Sequence, residues 1–163
     1  MLLFLPLLSR GQGLYASLDA AMSELQTNGT ITVGYSTKGL HAGIGTGMSR
    51  VTFQNDYIKS YGLYHPVFLE LAYLMPSRKV SPFVAVRGGV LLNSRNGVFN
   101  SPVNIDGSYT AGCKGGLAFR RTNLYFVPFL QYSIQDFDKD GSRNVGVTSR
   151  IKGLGAGVNL IFY

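Results

Sequence analysis

Apolar and polar residues alternate with a period of two along most of this chain, the period of a β-strand whose two faces meet different surroundings. Eight such segments stand out. Residues 13–24 place Leu14, Ala16, Leu18, Ala20 and Met22 on one parity, and residues 30–37 do the same with Ile31, Val33 and Tyr35. Residues 40–53 set Leu40, Ala42, Ile44 and Met48 opposite Gly43, Gly45 and Gly47. Residues 64–75 set Val67, Leu69, Leu71 and Tyr73 opposite Phe68, Glu70 and Ala72, and residues 80–92 set Val84, Val86, Val90 and Leu92 opposite Phe83, Ala85, Arg87 and Gly89. Residues 108–120 carry Tyr109, Ala111, Cys113, Leu117 and Phe119 on one side, and residues 124–135 carry Leu124, Phe126, Leu130, Tyr132 and Ile134. The eighth segment, 147–163, closes on Leu154, Ala156, Val158, Leu160 and Phe162, opposite Gly155, Gly157 and Asn159.

The connections sharpen the picture. Asn28-Gly29 is a hairpin-turn signal between the first two segments. Beyond it the linkers alternate in length: short at 38–39, long at 54–63, short at 76–79, long at 93–107, short at 121–123 and long at 136–146. An even strand number with turns short at one end and long at the other is the layout of a membrane barrel with both termini at the short-turn end. A sandwich has no reason to keep such a rule. The expected fold class is therefore all-β, an eight-stranded antiparallel up-and-down transmembrane β-barrel spanning residues 13–163. The final strand should pair with the first and remove the open edge. Pro82 and Pro128, which cost ladder hydrogen bonds, fall near strand ends at the short-turn side.

Composition agrees with this reading. Charged residues make up 14% of the chain, against about 25% in ordinary soluble domains. Mean hydropathy is slightly positive, yet no apolar run reaches the roughly 20 residues of a spanning helix. Tyr and Phe number 10 each. Two aromatic girdles are expected from them: Tyr35, Tyr73, Phe119, Phe126 and Phe162 at one end, and Phe53, Tyr57, Tyr64, Tyr109 and Tyr132 at the other. The net charge of +7 is carried by scattered Lys and Arg, with no basic helix or stacking platform. Nucleic acid is not an expected partner; anionic lipid or lipopolysaccharide headgroups suit the excess charge better.

Few residues offer chemistry. Asp19, Glu70, Arg87 and Lys114 lie on the lean parities, and a tight hairpin at 76–79 puts Glu70 nearly opposite Arg87. Buried ions must be paired, so a structural ion-pair ladder inside the barrel is expected, centred on Glu70–Arg87 with Asp19 and Lys114 nearby. Small residues on the same parities suit a narrow lumen filled by side chains. Asp136, Asp138 and Asp140 form the first half of a calcium loop, but Val147 stands where the bidentate Glu belongs. That stretch reads as a solvated hairpin loop. Cys113, the single cysteine, excludes an internal disulfide and sits on an apolar parity as a small hydrophobe. His41 and His65 lie beside strand ends, with no nucleophile pairing in the local sequence. The glycines of 43–47 precede no helix, so they are no phosphate loop. No catalytic residue, metal site or cofactor is expected.

Residues 1–12 combine an apolar run, Leu2 to Leu8, with Ser9-Arg10-Gly11, and read as the remnant of a secretory signal. With that, the chain resembles the small outer-membrane barrels of Gram-negative bacteria, the OmpA/OmpX-like "porin family" group. The resemblance rests on Thr32–Tyr35 leading into His41–Gly47, on Pro66–Leu71, on Ser81–Val84 and on the aromatic final strand, where Gly157, Leu160 and Phe162 match the family's closing signal. It implies an outer-membrane location, a monomer, contact with outer-membrane lipid and lipopolysaccharide, and recognition by the barrel-assembly machinery through that strand. The expected role is structural or adhesive, through the long loops. Two alternatives stand beside it: a soluble lipocalin-like barrel with its apolar parity inward, and an outer-membrane lipid-modifying enzyme, which needs a Ser or His pair at the rim.

Overall fold

The structure, a computed structural model, describes residues 13–54, 59–75, 78–93, 109–136 and 150–163. Its elements are β1 (Gly13–Ser23), β2 (Gln26–Thr37), β3 (Leu40–Gln54), β4 (Lys59–Leu74), β5 (Val80–Asn93), β6 (Tyr109–Arg121), β7 (Leu124–Asp136) and β8 (Arg150–Phe162). Each strand pairs antiparallel with the next, and β8 pairs with β1, so the sheet closes into a barrel. The fold class is the one that the alternation predicts. Closure runs from Ala16↔Phe162 to Ser23↔Gly155 and leaves no open edge along that stretch.

Two local expectations fail for physical reasons. Asn28-Gly29 does not turn the chain; it lies within β2, paired to Ala21 and Ala20. The connection sits earlier, at Glu24 and Leu25, where Ser23 Oγ donates to the Gln26 carbonyl at 3.4 Å and Leu25 accepts from the Thr52 amide at 2.8 Å. The register keeps Leu18 and Ile31 facing outward together, and that long-range demand overrides the local turn preference. The stretch read as a long loop at 54–63 is largely strand as well. β3 and β4 continue to the pair Gln54↔Lys59, leaving only residues 55–58 between them. Linkers are thus short at the end holding both termini, at 38–39, 75–79 and 122–123. At the opposite end, called here the loop end, two are short and two are long, 94–108 and 137–149.

The faces divide cleanly. The parity of Leu69, which is 67% exposed, and of Leu130, at 62%, points out of the barrel on every strand, while Glu70 is 2% exposed and Gln131 3%. Cys113 lies on the outer face. Tyr35, Tyr73, Phe119, Phe126 and Phe162 ring the outer face at the termini end. At the loop end Tyr109 and Tyr132 face outward. Tyr64 belongs to the interior parity instead, across from the buried Ser49, because a girdle position is set by parity as well as by height. Phe53 and Tyr57 have side chains outside the described residues, and so does the segment 1–12.

Candidate functional site in the barrel lumen

The interior is layered along its axis. At the termini end it is apolar and aromatic, built from Tyr15, Leu74, Phe83, Tyr125, Val127 and Ile161 with small Ala residues between them. This departs from an interior of small side chains, and the glycines explain how the rings fit. Phe68 of β4 has Gly45 on one neighbouring strand and Gly89 on the other. Phe129 of β7 likewise stands between Gly116 and Gly157. A Cβ at Gly45 would collide with the ring edge of Phe68, and one at Gly157 would approach Phe129 to 2.7 Å. Gly34 and Gly43, partners of each other, leave the same kind of room for Tyr15, whose hydroxyl would lie 2.5 Å from a Cβ at Gly43. Glycine on the flanking strands thus gives each ring the width that a barrel of this strand number otherwise denies it.

Midway along the lumen, the structure brings Asp19, Glu70, Arg87 and Lys114 together. Asp19 comes from β1, Glu70 from β4, Arg87 from β5 and Lys114 from β6. Glu70 and Arg87 are register partners, but no ion pair joins them. The centre is Lys114. Its Nζ donates to Glu70 Oε2 at 2.7 Å and also to Asp19 Oδ2, bridging two carboxylates from opposite sides of the barrel. Arg87 leans away from Glu70 toward Asp19, at 3.8 Å, and donates to Gln131 at 3.4 Å. Asn28, with its amide oxygen turned toward Arg87, accepts at 3.2 Å and donates to the Ala21 carbonyl at 3.1 Å. Thr30 donates to Asp19 Oδ2 at 3.2 Å. The two cations and two anions cancel. Each cation also lies over one of the rings held between glycines: Arg87 is 5.3 Å from the Phe68 centroid and Lys114 is 5.4 Å from that of Phe129. Carboxylates on one side and a ring face on the other fix both cations in a region without bulk water.

Above the ions, toward the loop end, the lumen turns neutral and polar. Gln26 spans it, donating to Ser49 Oγ at 2.9 Å and accepting from Ser133 Oγ at 3.3 Å. At the ionic layer and below it, on the β8–β1–β2 side, Tyr15 Oη, Ser17 Oγ, Asp19 Oδ1, Thr32 Oγ1 and both amide atoms of Asn159 are buried with no hydrogen-bonding protein partner.

The two histidines lie toward opposite ends of the barrel. His41 is buried at the termini end, edge-on to Tyr15 with centroids 5.0 Å apart, and its Nε2 is hydrogen-bonded to the Tyr163 hydroxyl at 3.0 Å. The signal for this was present in the sequence as Tyr163, one position beyond the expected closing aromatic. Instead of pointing outward it packs on Tyr125, centroids 5.5 Å apart. His65 serves the backbone. Pro66 has no N–H, so the β3–β4 ladder lapses between Thr46↔Val67 and Ser49↔Tyr64. His65 Nδ1 lies 3.2 Å from the Gly47 carbonyl that lapse would leave unpaired. Asp136 belongs to an outer-rim cluster: its Oδ2 accepts from Arg150 Nε at 2.8 Å and from the Tyr109 hydroxyl at 3.0 Å. Those donors hold its carboxyl below the ordinary range, the Arg150 hydrogen bond being the largest cause. Asp138 and Asp140 lie outside the described residues.

Taken together these features define a class: a closed eight-stranded barrel, apolar outside, with a charge-neutral ionic layer within. No protein-family profile and no curated protein sequence matches the chain. Among solved structures it is similar to Neisserial surface protein A (NspA), with a TM-score of 0.57 and 13% identity over 91% of this chain and 93% of that one. It is also similar to the N-terminal β-barrel domain of Pseudomonas aeruginosa OprF, with a TM-score of 0.51 and 14% identity over 94% and 98%. The chain has the fold of the small eight-stranded outer-membrane barrels.

Proposed function

We propose that this protein spans the outer membrane of a Gram-negative bacterium as a monomeric barrel, that its lumen is closed by the ionic layer and the aromatic layer beneath it, and that it acts through its loop end as a structural or adhesive protein rather than as an enzyme. The observation that carries this reading is the inversion of its two faces. Leu14, Leu69, Leu130 and Leu154 are 81%, 67%, 62% and 71% exposed, while Asp19, Glu70 and Lys114 are 5%, 2% and 4% exposed. A soluble protein does not expose so continuous an apolar surface, whereas lipid tails cover it at no cost. The same inversion weighs against a lipocalin-like barrel, which needs Leu69 and Leu71 inside and Glu70 and Arg87 outside. The closing-strand residues Gly157, Leu160 and Phe162 suit recognition by the barrel-assembly machinery, with Phe162 exposed on the outer face. Structural support is the role we assign to Asp19, Glu70, Arg87 and Lys114, whose charges balance one another inside the lumen.

Cell fractionation tests the location. The protein should sediment with outer membranes and migrate faster on gels when unheated than when boiled, because a folded barrel resists dodecyl sulfate. Recovery as a soluble species without detergent would overturn the reading. Reconstituted into a planar bilayer, it should show no steady conductance; a stable open channel would sink the closed lumen alone.

A further inference from the structure

Like charges gather at one place on the rim. The four described acids are Asp19 and Glu70 in the lumen and Glu24 and Asp136 at the loop end. At the termini end two exposed pairs of cations stand on neighbouring chain segments: Arg78 and Lys79, which lead into β5, and Arg120 and Arg121, which end β6. The register joins them. Val80 pairs with Phe119, and the Arg120 amide donates to the Lys79 carbonyl at 2.8 Å, so Lys79 lies directly across from Arg120. One step further along the two segments stand Arg78 and Arg121. Both segments are held. Ser81 Oγ accepts from the Met75 amide at 2.8 Å and closes the turn before β5. Arg120 Nε donates to the Thr122 carbonyl at 3.1 Å, and its guanidinium lies 5.8 Å from the Tyr125 ring centroid. Like charges directly opposite each other weaken a sheet, and no described carboxylate offsets these four. Folding alone gives no reason to bring them together; an anion bound between them does.

We infer that this patch binds the phosphate of an anionic phospholipid in the adjoining leaflet. The inference rests on the membrane reading above and assigns one flank of the barrel, β5 and β6, a lipid of defined charge. Height selects the occupant. Arg78 and Arg121 follow the outward parity of Val80 and Phe119, both exposed, and they stand just beyond the aromatic ring at the termini end. A lipid whose chains lie along the exposed Val84 and Leu117 places its headgroup at that level. Arginine offers a phosphate two parallel N–H donors, and Lys79 adds to the local field. A zwitterionic headgroup gains less, because its own cation meets four others. Clustered cations at the edge of a membrane segment select anionic lipid in this way.

The chain contains no tryptophan, so a single one introduced on the outer face reports the lipid beside it. The full chain carrying Leu117→Trp is folded into mixed bilayers of phosphatidylcholine and phosphatidylglycerol, each lipid in turn brominated in its acyl chains, and quenching of the indole gives their relative binding. Phosphatidylglycerol should be preferred about fivefold at low salt, the selectivity that about one effective cation provides. At about 1 M salt, where screening acts within about 3 Å, the preference should fall toward unity. Arg78→Gln with Arg121→Gln should remove most of it, in a variant that keeps the heat-dependent gel shift of a folded barrel. Arg150→Gln with Lys152→Gln, at the other end, should leave it unchanged. Val33→Trp, on the outer face of β2 across the barrel, should report a distinctly smaller preference. Equal quenching by the two lipids at position 117, a preference that survives the Arg78 and Arg121 substitutions or high salt, one that follows the loop-end pair, or the same preference at position 33 would overturn the proposal. Absence of quenching by either lipid would instead remove the membrane reading on which it stands.

Discussion

Lys114 holds the lumen together at the scale of single residues. It touches carboxylates from β1 and β4, whereas Arg87 stands 3.8 Å from Asp19. Removing one partner of a buried ion pair costs about 3–5 kcal/mol, mostly through the uncompensated charge left behind. Lys114→Met should therefore lower stability by that amount in urea unfolding of the reconstituted barrel, and Arg87→Leu by less, since Lys114 still contacts both acids. A larger loss for Arg87→Leu would return the centre to the Glu70–Arg87 pair. That pair was legible because a hairpin fixes which residues oppose each other. The role of Lys114 was not, because Asp19 and Lys114 are 95 positions apart and meet only across a closed lumen.

Between strands, the recurring unit is a ring between two glycines. At Gly45 the atoms that an added Cβ meets belong to the side chains of Phe68 and Thr32, so the crowding there is between side chains. Gly45→Ala should cost about 1–3 kcal/mol, as overpacking does, and Phe68→Leu in the same chain should return part of that loss, a non-additivity that a double-mutant cycle measures. Additive losses would show that the glycine serves the backbone alone. At the outer rim above the apolar belt, Arg150 and Tyr109 lower the Asp136 pKa from its ordinary value of 3.8. A lowered folded-state value means that the contribution is complete above the unfolded pKa and fades as pH falls through the folded one. NMR titration should find Asp136 below the usual carboxylate range, and Arg150→Gln should raise it toward that range. An unshifted Asp136 in the parent protein would mean that the rim contact does not form in solution. The turn signal at Asn28-Gly29 misled because register is decided across β1, β2 and β3 together, and Asn28 is needed inside, against Arg87.

For the whole molecule, the outer face is the quantity to test. Leu69 sits at the height of the ionic layer, next to Glu70, and points outward. An arginine there should cost about 2–4 kcal/mol in a bilayer, the penalty near the midplane of a membrane barrel, falling to about 0–1 near its edges. Val80→Arg, beside the termini-end girdle on an exposed outward position, should be nearly neutral. Refolding stability in lipid vesicles measures both, and equal costs at the two heights would argue against a bilayer around this barrel.

The sequence by itself determined the strand number, the faces and the all-β class, because a period of two is local and repeats in every element. Leu154 to Phe162 already showed which side of the last strand is apolar, and the hairpin at 76–79 already opposed Glu70 to Arg87. It also supplied the expectation of closure between first and last strands. Only the tertiary structure decided what fills the lumen. Parity distinguishes inside from outside but says nothing about width, and width comes from glycines on neighbouring strands that admit Phe68, Phe129 and Tyr15. Charge behaved the same way. Lys and Arg looked scattered along the chain, and closure of the barrel sorted the described ones into two neutralised ions inside, a group at the loop end and a group around the termini-end turns.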